Sequence, residues 1–437
     1  MLRQPITMFC YTDIAAQVRG KGFPRHLLAK RLSSGIAWTP TNIMITSLGP
    51  IADTPWGPFG DLTMMPDAGT EVQVDFGDDS PAEHFFLSDI QTTEGEPWDC
   101  CPRHALRRVL ARLEQDHGLV PKVSFEHEFV YSGANGRTGD GYALDAIRRH
   151  GALGEVLVAA LQQAGIDPDS YLPEYGDAQF EITLPPQSAQ RAGDEAMILR
   201  ELTRAAAWRL GETVTFAPRC SPDGLGNGVH IHVSLTDTQG RPVCHDPDAW
   251  HGVSETAQRF LAGIQAHMPA LCAVTAPTPT SFMRLVPHTW SAAWNNIGYR
   301  DREAGIRICP TFASSPRKAA EQFNFEYRPA DATGNPYLQM AALFAAGLDG
   351  LERRLDMPEP TQQDPDSLSQ AERTERGIVR LPQSLSEALQ AWEADAHAQQ
   401  WFTPALTEAY RRYKRTEVEI TKDLEPEELC RRYSAAF

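Results

Sequence analysis

Ser124-Phe-Glu126-His-Glu128-Phe129 is the stretch from which the fold of this chain is read. Side chains alternate sides along a β-strand. Glu126 and Glu128 therefore point together, while Val123, Phe125, His127 and Phe129 point the other way. An acidic face opposite an apolar one implies a strand buried on one side. His127 falls on the apolar side and reads as a core histidine. The pattern recurs in Gln179-Phe-Glu181-Ile182 and in Val229-His230-Ile231-His232-Val233, where both imidazoles share a side. Gly305-Ile306-Arg307-Ile308 adds a guanidinium, and Asn324-Phe325-Glu326-Tyr327-Arg328 adds a carboxylate and a second cation. If these strands share a sheet, its open face gathers acids, imidazoles and guanidiniums. That combination suits divalent metals and phosphates.

At 437 residues the chain is long enough for two domains. Its hydrophobic fraction, 42%, is ordinary and sufficient for a real core. The net charge of −17, from 40 basic and 57 acidic residues, argues against nucleic acid or an anionic membrane as partner. No run has the length and apolarity of a membrane span. The opening Met1-Leu-Arg-Gln-Pro5 lacks the apolar core of a signal peptide. The 8 cysteines are scattered, with no C-x-x-C pair. They read as reduced, small buried hydrophobes in a cytoplasmic protein.

Residues 1–100 read as β-rich, with Ile43–Ser47 and Val72–Phe76 as strands and Arg25–Lys30 as a short helix. Thr93–Pro102 reads as a linker. A helix is expected from Pro102, with Ala105, Leu106, Val109, Leu110 and Leu113 as its apolar stripe. Further helices are expected over Ala143–Gly165, Ala192–Leu210, Ser254–His267, Pro336–Leu355, Ser384–Ala396 and Pro404–Tyr413, with an exposed loop over 359–376. No G-x-G-x-x-G or Walker loop is present, which argues against a Rossmann or P-loop nucleotide site. Gly224-Leu-Gly-Asn-Gly228 is glycine-rich but precedes a strand.

The candidate metal ligands are Glu126, Glu128, Glu181, His230, His232 and Glu326, with Glu174 just ahead of its strand. Oxygen ligands with one or two imidazoles suit Mg²⁺ or Mn²⁺. So many inward carboxylates repel one another unless cations compensate. Metals, or Arg284, Arg302, Arg307 and Arg328, must supply that compensation.

In this order, the motifs resemble the glutamine synthetase family, nearly end to end. Asp13…Arg19-Gly20-Lys21 matches its opening signature, Gly60-Asp-Leu…Pro66-Asp67 its next landmark, and Pro102-Arg103 its inter-domain junction. Glu126-His-Glu128, Glu174…Gln179-Phe-Glu181 and Gly228-Val-His230-Ile-His232 match its metal strands. Arg284-Leu-Val-Pro287, Arg302-Glu-Ala-Gly-Ile-Arg307 and Glu326-Tyr-Arg328…Asn335-Pro-Tyr-Leu338 follow in place.

The resemblance implies an α+β fold. An N-terminal β-grasp-like domain would span 1–100. A catalytic α/β domain with a curved antiparallel sheet forming a funnel-shaped active site would span 101–437. It implies a homo-oligomer, a dodecamer of two stacked hexameric rings, in which a neighbour's N-terminal domain completes each site. Glu128, Glu174 and Glu181 would hold one divalent ion, and Glu126, His230 and Glu326 the second. His232 and Arg307 would contact ATP phosphates. Gly226, Arg284 and Arg328 would bind the amino-acid substrate, and Arg302 would stabilise the transferring phosphoryl group. The implied reaction joins the γ-carboxylate of glutamate to an amine through an acyl phosphate.

Departures from the family pattern carry the finer reading. Glutamine synthetases place an aspartate near Thr39 and a glutamate at position 290, and the two acids serve ammonium. Here the positions are Thr39 and Trp290. Ammonium needs a negative pocket and a base. A site without them favours an amine that brings its own binding energy, and Trp290 offers an aromatic surface for it. Leu225 replaces a polar residue before Gly226, and Asn324 stands where the family has an ATP-contacting arginine. The expected activity is therefore an ATP-dependent glutamate–amine ligase. Its amine would be an aryl or alkyl monoamine, ethanolamine or a polyamine. The alternatives are a genuine glutamine synthetase, a catalytically silent ring-forming homologue, or a two-metal phosphotransferase on the same fold.

Overall fold

The computed structural model describes residues 2–137, 139–312 and 315–437, so Met1 of the opening segment lies outside it. Two sheets organise the chain. The first holds β1 (Ile6–Thr12), β2 (Val18–Pro24), β3 (Ile36–Trp38), β4 (Leu62–Pro66), β5 (Val72–Val74) and β6 (Glu83–Thr92). Its order is β2-β1-β6-β4-β3, with β5 also on β6. The β1–β6 pair is parallel, Met8 facing Phe85.

The second sheet holds β7 (Leu119–Tyr131), β8 (Ser170–Pro173), β9 (Gln179–Thr183), β10 (Gln187–Ser188), β11 (Val214–Thr215), β12 (Val229–Asp237), β13 (Ile297–Tyr299), β14 (Ile306–Ile308) and β15 (Phe325–Tyr327). Its path runs β13-β14-β15-β12-β7-β9-β8, with β10 and β11 also on β7. The expected antiparallel sheet is corrected here. It is mixed, because β13 and β14 pair in parallel at one edge.

The alternation on β7 holds. Val123, Phe125, His127 and Phe129 are all 2% exposed or less. Helices Pro102–His117, Ala189–Arg209, Glu255–Thr275 and Pro336–Glu352 supply the core around them. Burial and the nearby Arg200 charge push the His127 imidazole down to about 3, which keeps it neutral, as a core histidine should be. Helices Glu255–Thr275 and Pro336–Glu352 meet where a Cβ on Gly263 would stand 2.2 Å from the Ala346 carbonyl oxygen. A glycine is needed there for the backbones to approach.

Several local readings are corrected. Ile43–Ser47 is not a strand, because Pro40 starts a 3-10 turn over Pro40–Met44. The linker Thr93–Pro102 is only half a linker, since Trp98, Cys100 and Cys101 are core. The loop 359–376 contains a 3-10 turn, Pro365–Ser367, and a helix, Gln370–Glu375, closed by a Ser369–Glu372 capping box. Helices Glu255–Thr275 and Pro404–Thr421 run past their expected ends, and Pro426–Ala436 is an additional helix. All 8 cysteines are free. Among the described residues, no helix is long and apolar enough to cross a membrane.

One arginine ties the two sheets together. Arg103 is 2% exposed at the start of helix Pro102–His117. It donates to both carboxylate oxygens of Asp194, and to Asp89 and Asp67, all at 2.9 Å. Asp67 and Asp89 belong to the first sheet region, and Asp194 to the helix behind the second. Removing one partner of a buried ion network strands the others. Arg103→Ala is expected to cost about 3–5 kcal/mol, read as a lower midpoint in urea unfolding followed by circular dichroism.

Candidate active site

Strand register brings the polar faces into one row. Glu128 faces Glu181, Glu126 faces His230, and Glu326 faces both His232 and Arg307. Directly paired residues on neighbouring strands lie within side-chain reach. Glu126 sits at the centre. One of its oxygens is 3.1 Å from His230 Nδ1 and the other 3.1 Å from His232 Nε2. Glu326, 1% exposed, accepts from Arg307 Nη1 at 2.7 Å and from Arg328 Nη1. It also lies 3.4 Å from His230 Nδ1.

The charges answer one another. Burial raises the Glu181 carboxyl to about 9, and crowding by Glu126, Glu128 and Glu174 adds to it. Burial and Glu128 raise Glu174 as well. Burial also opposes ionisation of Glu326, but Arg328 and the two histidines outweigh it and hold it down to about 2. Glu126 is likewise held low against burial by its two histidine partners. Burial opposes protonation of His232, yet Cys309, Glu126 and Glu326 raise it well above the usual imidazole range.

Within the row, among the described residues, two sets of ligand atoms lie within 4.8 Å of one another: Glu126, Glu181 and His230, and Glu126, His232 and Glu326. A buried carboxyl raised by its acidic neighbours is what a divalent cation would relieve, and the oxygen–imidazole donor set suits Mg²⁺ or Mn²⁺. The residues present therefore fit the metals expected. Glu128 and Glu174 stand outside both sets. Glu128 accepts from the Gly228 backbone N–H at 2.7 Å. Glu174 accepts from the Tyr142 hydroxyl at 3.0 and 3.1 Å.

Gly226 and Arg284 lie against each other. Arg284 is buried and donates to the carbonyls of Pro329 and Ala330, both at 2.7 Å. A Cβ on Gly226 would stand 2.4 Å from Arg284 Cγ. Arg328 Nη2 donates to the Trp290 carbonyl at 2.9 Å, which places the 290 loop over the site. The indole itself is 66% exposed. Asn324 Oδ1 lies 2.9 Å from His232 Nδ1, so it orients that imidazole.

The structure does not bring every expected residue to the row. Arg302 is exposed, and among the described residues it makes no salt bridge with these carboxylates. Its charge acts on Tyr142 instead. Thr39 precedes the 3-10 turn Pro40–Met44 in the first sheet region, and no hydrogen bond of the described site involves it. Sequence reading missed Glu303, Tyr142 and Cys309. Glu303 accepts from the backbone N–H groups of His288 and Trp290, both at 3.1 Å. Cys309 Sγ lies 3.8 Å from His232 Nδ1. Glu303 and Cys309 flank motif residues, a usable signal, whereas nothing local marks Tyr142.

Comparison with known proteins agrees with this geometry. The model for the glutamine synthetase catalytic domain matches residues 99–432, and that for the glutamine synthetase N-terminal domain matches 3–98. The chain belongs to the glutamine synthetase family. As such it is an ATP-dependent ligase of the class that joins glutamate to ammonia or an amine. It is 33% identical over 414 residues to a gamma-glutamylpolyamine synthetase of Streptomyces coelicolor, covering 92% of this chain and 87% of that one. A solved glutamine synthase homologue shares 38% identity at a TM-score of 0.92, covering 100% of this chain and 99% of the other. A GmaS–ADP complex shares 26% identity at a TM-score of 0.83, covering 97% and 95%.

The contact between residues 226 and 284 generates a test. Gly226→Ala drives a methyl into Arg284 and within 2.8 Å of the Pro218 carbonyl oxygen. The KM for glutamate is expected to rise roughly tenfold or more, as displaced positioning groups allow. The KM for ATP should move little, and steady-state kinetics at saturating amine separates the two.

Proposed function

We propose that this enzyme joins the γ-carboxylate of glutamate to an organic amine through a γ-glutamyl phosphate, releasing ADP and phosphate. The amine is an aryl or alkyl monoamine, ethanolamine or a polyamine. Trp290 carries this reading. It occupies the position where the family places an ammonium-binding glutamate, and its backbone is fixed over Arg328 while its indole stays exposed. An exposed indole offers binding energy to an apolar or cationic amine and none of the charge a small ammonium ion requires. The similarity to a gamma-glutamylpolyamine synthetase supports the same direction.

In this reading Glu128, Glu174 and Glu181 hold one divalent ion, and Glu126, His230 and Glu326 the other. Bound there, the two ions would neutralise the ATP phosphates. Arg284 and Arg328 hold the carboxylates of glutamate, a task that favours the planar guanidinium. The γ-carboxylate attacks the terminal phosphorus of ATP, and Arg302 and Arg307 offset charge on the transferring group. His232, oriented by Asn324, contributes to phosphate binding. The amine then attacks the acyl phosphate carbon, forming the amide as phosphate leaves.

Thr39 makes no side-chain hydrogen bond to the row of its own chain among the described residues, and in this reading the site is completed by a neighbouring subunit in a dodecamer of two stacked hexameric rings. The division at residue 100, the β-grasp-like character of the first sheet and the funnel shape of the second belong to the same reading. So does a cytoplasmic location.

One observation favours glutamine synthetase proper. Glu303 places a carboxylate under the 290 loop. Phosphate release with Mg²⁺ or Mn²⁺, ATP and glutamate across ammonium, ethanolamine, putrescine, isopropylamine and aniline separates the readings. Strong response to one organic amine with little to ammonium supports the proposal, and best turnover with ammonium overturns it.

Glu326→Ala is expected to abolish ATP turnover with every amine, because Arg307, Arg328 and His230 lose a shared buried anion. Trp290→Glu should weaken the preferred amine and admit ammonium. An unchanged amine profile in Trp290→Ala would end the role assigned to the indole.

A further inference from the structure

Gln179 stands between two parts of the site that bind different ligands. It begins β9, two residues ahead of Glu181, so both side chains leave the same face of the sheet. The residue is 6% exposed. Its carboxamide oxygen accepts from the Gly176 backbone N–H at 2.8 Å, which fixes the way the amide points. The amide nitrogen then faces the Gly226 carbonyl and Asn227 Oδ1, both at 2.9 Å, and Glu128 Oε2 at 3.3 Å. Asn227 is oriented in the same manner, because its own nitrogen donates to the Ala217 carbonyl at 2.8 Å.

An amide nitrogen carries two hydrogens. Three acceptors surround this one, so they share. The two nearer acceptors belong to the loop that carries Gly226, and the third is Glu128. Glu128 Oε2 also accepts from the Gly228 N–H, at 2.7 Å, at the end of the same loop. Among the described residues, every hydrogen bond to the Glu128 carboxylate therefore falls on one oxygen. Oε1 carries none and is the oxygen that a cation can take. The main chain of Gln179 reaches a further acid of the row, since the Glu174 N–H donates to the Gln179 carbonyl at 2.8 Å.

We infer that Gln179 is a positioning residue that makes glutamate and a divalent cation bind cooperatively, its one amide holding both the Gly226 loop and the Glu128 carboxylate. The inference rests on the roles proposed above for Gly226 and Glu128. Glutamate settling on the loop fixes the amide, and the fixed amide holds Glu128 in one orientation. A cation on Glu128 acts in the opposite direction by the same factor, because coupling between two binding equilibria is reciprocal.

Calorimetric titration of Mn²⁺ into the full-length protein, without ATP or amine and with or without saturating glutamate, tests this. In the native protein glutamate should tighten Mn²⁺ roughly fivefold or more, and Mn²⁺ should tighten glutamate by the same factor. Gln179→Met keeps the length of the side chain and removes both donors. It should weaken Mn²⁺ about tenfold or more, as loss of a hydrogen-bond partner behind a metal ligand does, and bring the coupling factor close to one. Gln179→Glu, which keeps an acceptor for Gly176 and removes the donors, should do the same. A residue that only closes the 176–179 turn would lower the melting temperature of both variants and leave the coupling factor unchanged, a result that would overturn the inference. Independent binding of the two ligands to the native protein would overturn it as well, with no variant needed. Failure of either ligand to bind the native protein would overturn both the inference and the reading beneath it.

Discussion

Carboxylates set side by side on one sheet face repel one another, and the surroundings of the site answer that repulsion. Glu126, Glu128 and Glu174 add to burial in raising the affinity of Glu181 for protons, and Glu128 does the same at Glu174. Compensation arrives from the neighbouring strands. β12 supplies His230 and His232, and β14 supplies Arg307. Arg328 follows directly after β15. Glu326 is the most fully compensated acid and the most deeply buried of the row. The arrangement leaves negative potential concentrated around Glu181, where a divalent cation has most to offset.

The loop over this row is built by main-chain bonds. His288 and Trp290 both adopt left-handed backbone, with φ of 61° and 57°. Such conformations are unfavourable for residues other than glycine. Glu303 accepts from both N–H groups and Arg328 donates to the Trp290 carbonyl, which holds the loop in place. The indole can then face outward without anchoring the loop. This separates the residue's backbone, which is structural, from its side chain, which is free to meet an amine.

How much was legible from sequence follows from the range of each interaction. The period-two alternation on β7, β9 and β12 is local, so its faces were readable before any fold. Pro102 at a first helical turn was readable for the same reason. Ile43–Ser47 misled because its apolar residues suit a strand, while Pro40 and the packing of Met44 draw it into a 3-10 turn. Trp98 and Cys100 lie in a turn-rich segment whose composition suggests a linker, yet the core claims them. Helix ends were misplaced where tertiary packing extends them beyond the last periodic residue.

The sequence alone determined which residue types face together, because side-chain direction along a strand depends only on the backbone beside it. It also carried the ordered motifs that place the chain in its family. Tertiary structure decided which strand lies beside which, and so that Glu126 faces His230 while Glu326 is shared between Arg307 and Arg328. It brought Tyr142 to Glu174 and left Arg302 without a salt bridge to the row among the described residues. These depend on register and on contacts between residues far apart in the chain, where electrostatic balance is settled by the whole neighbourhood.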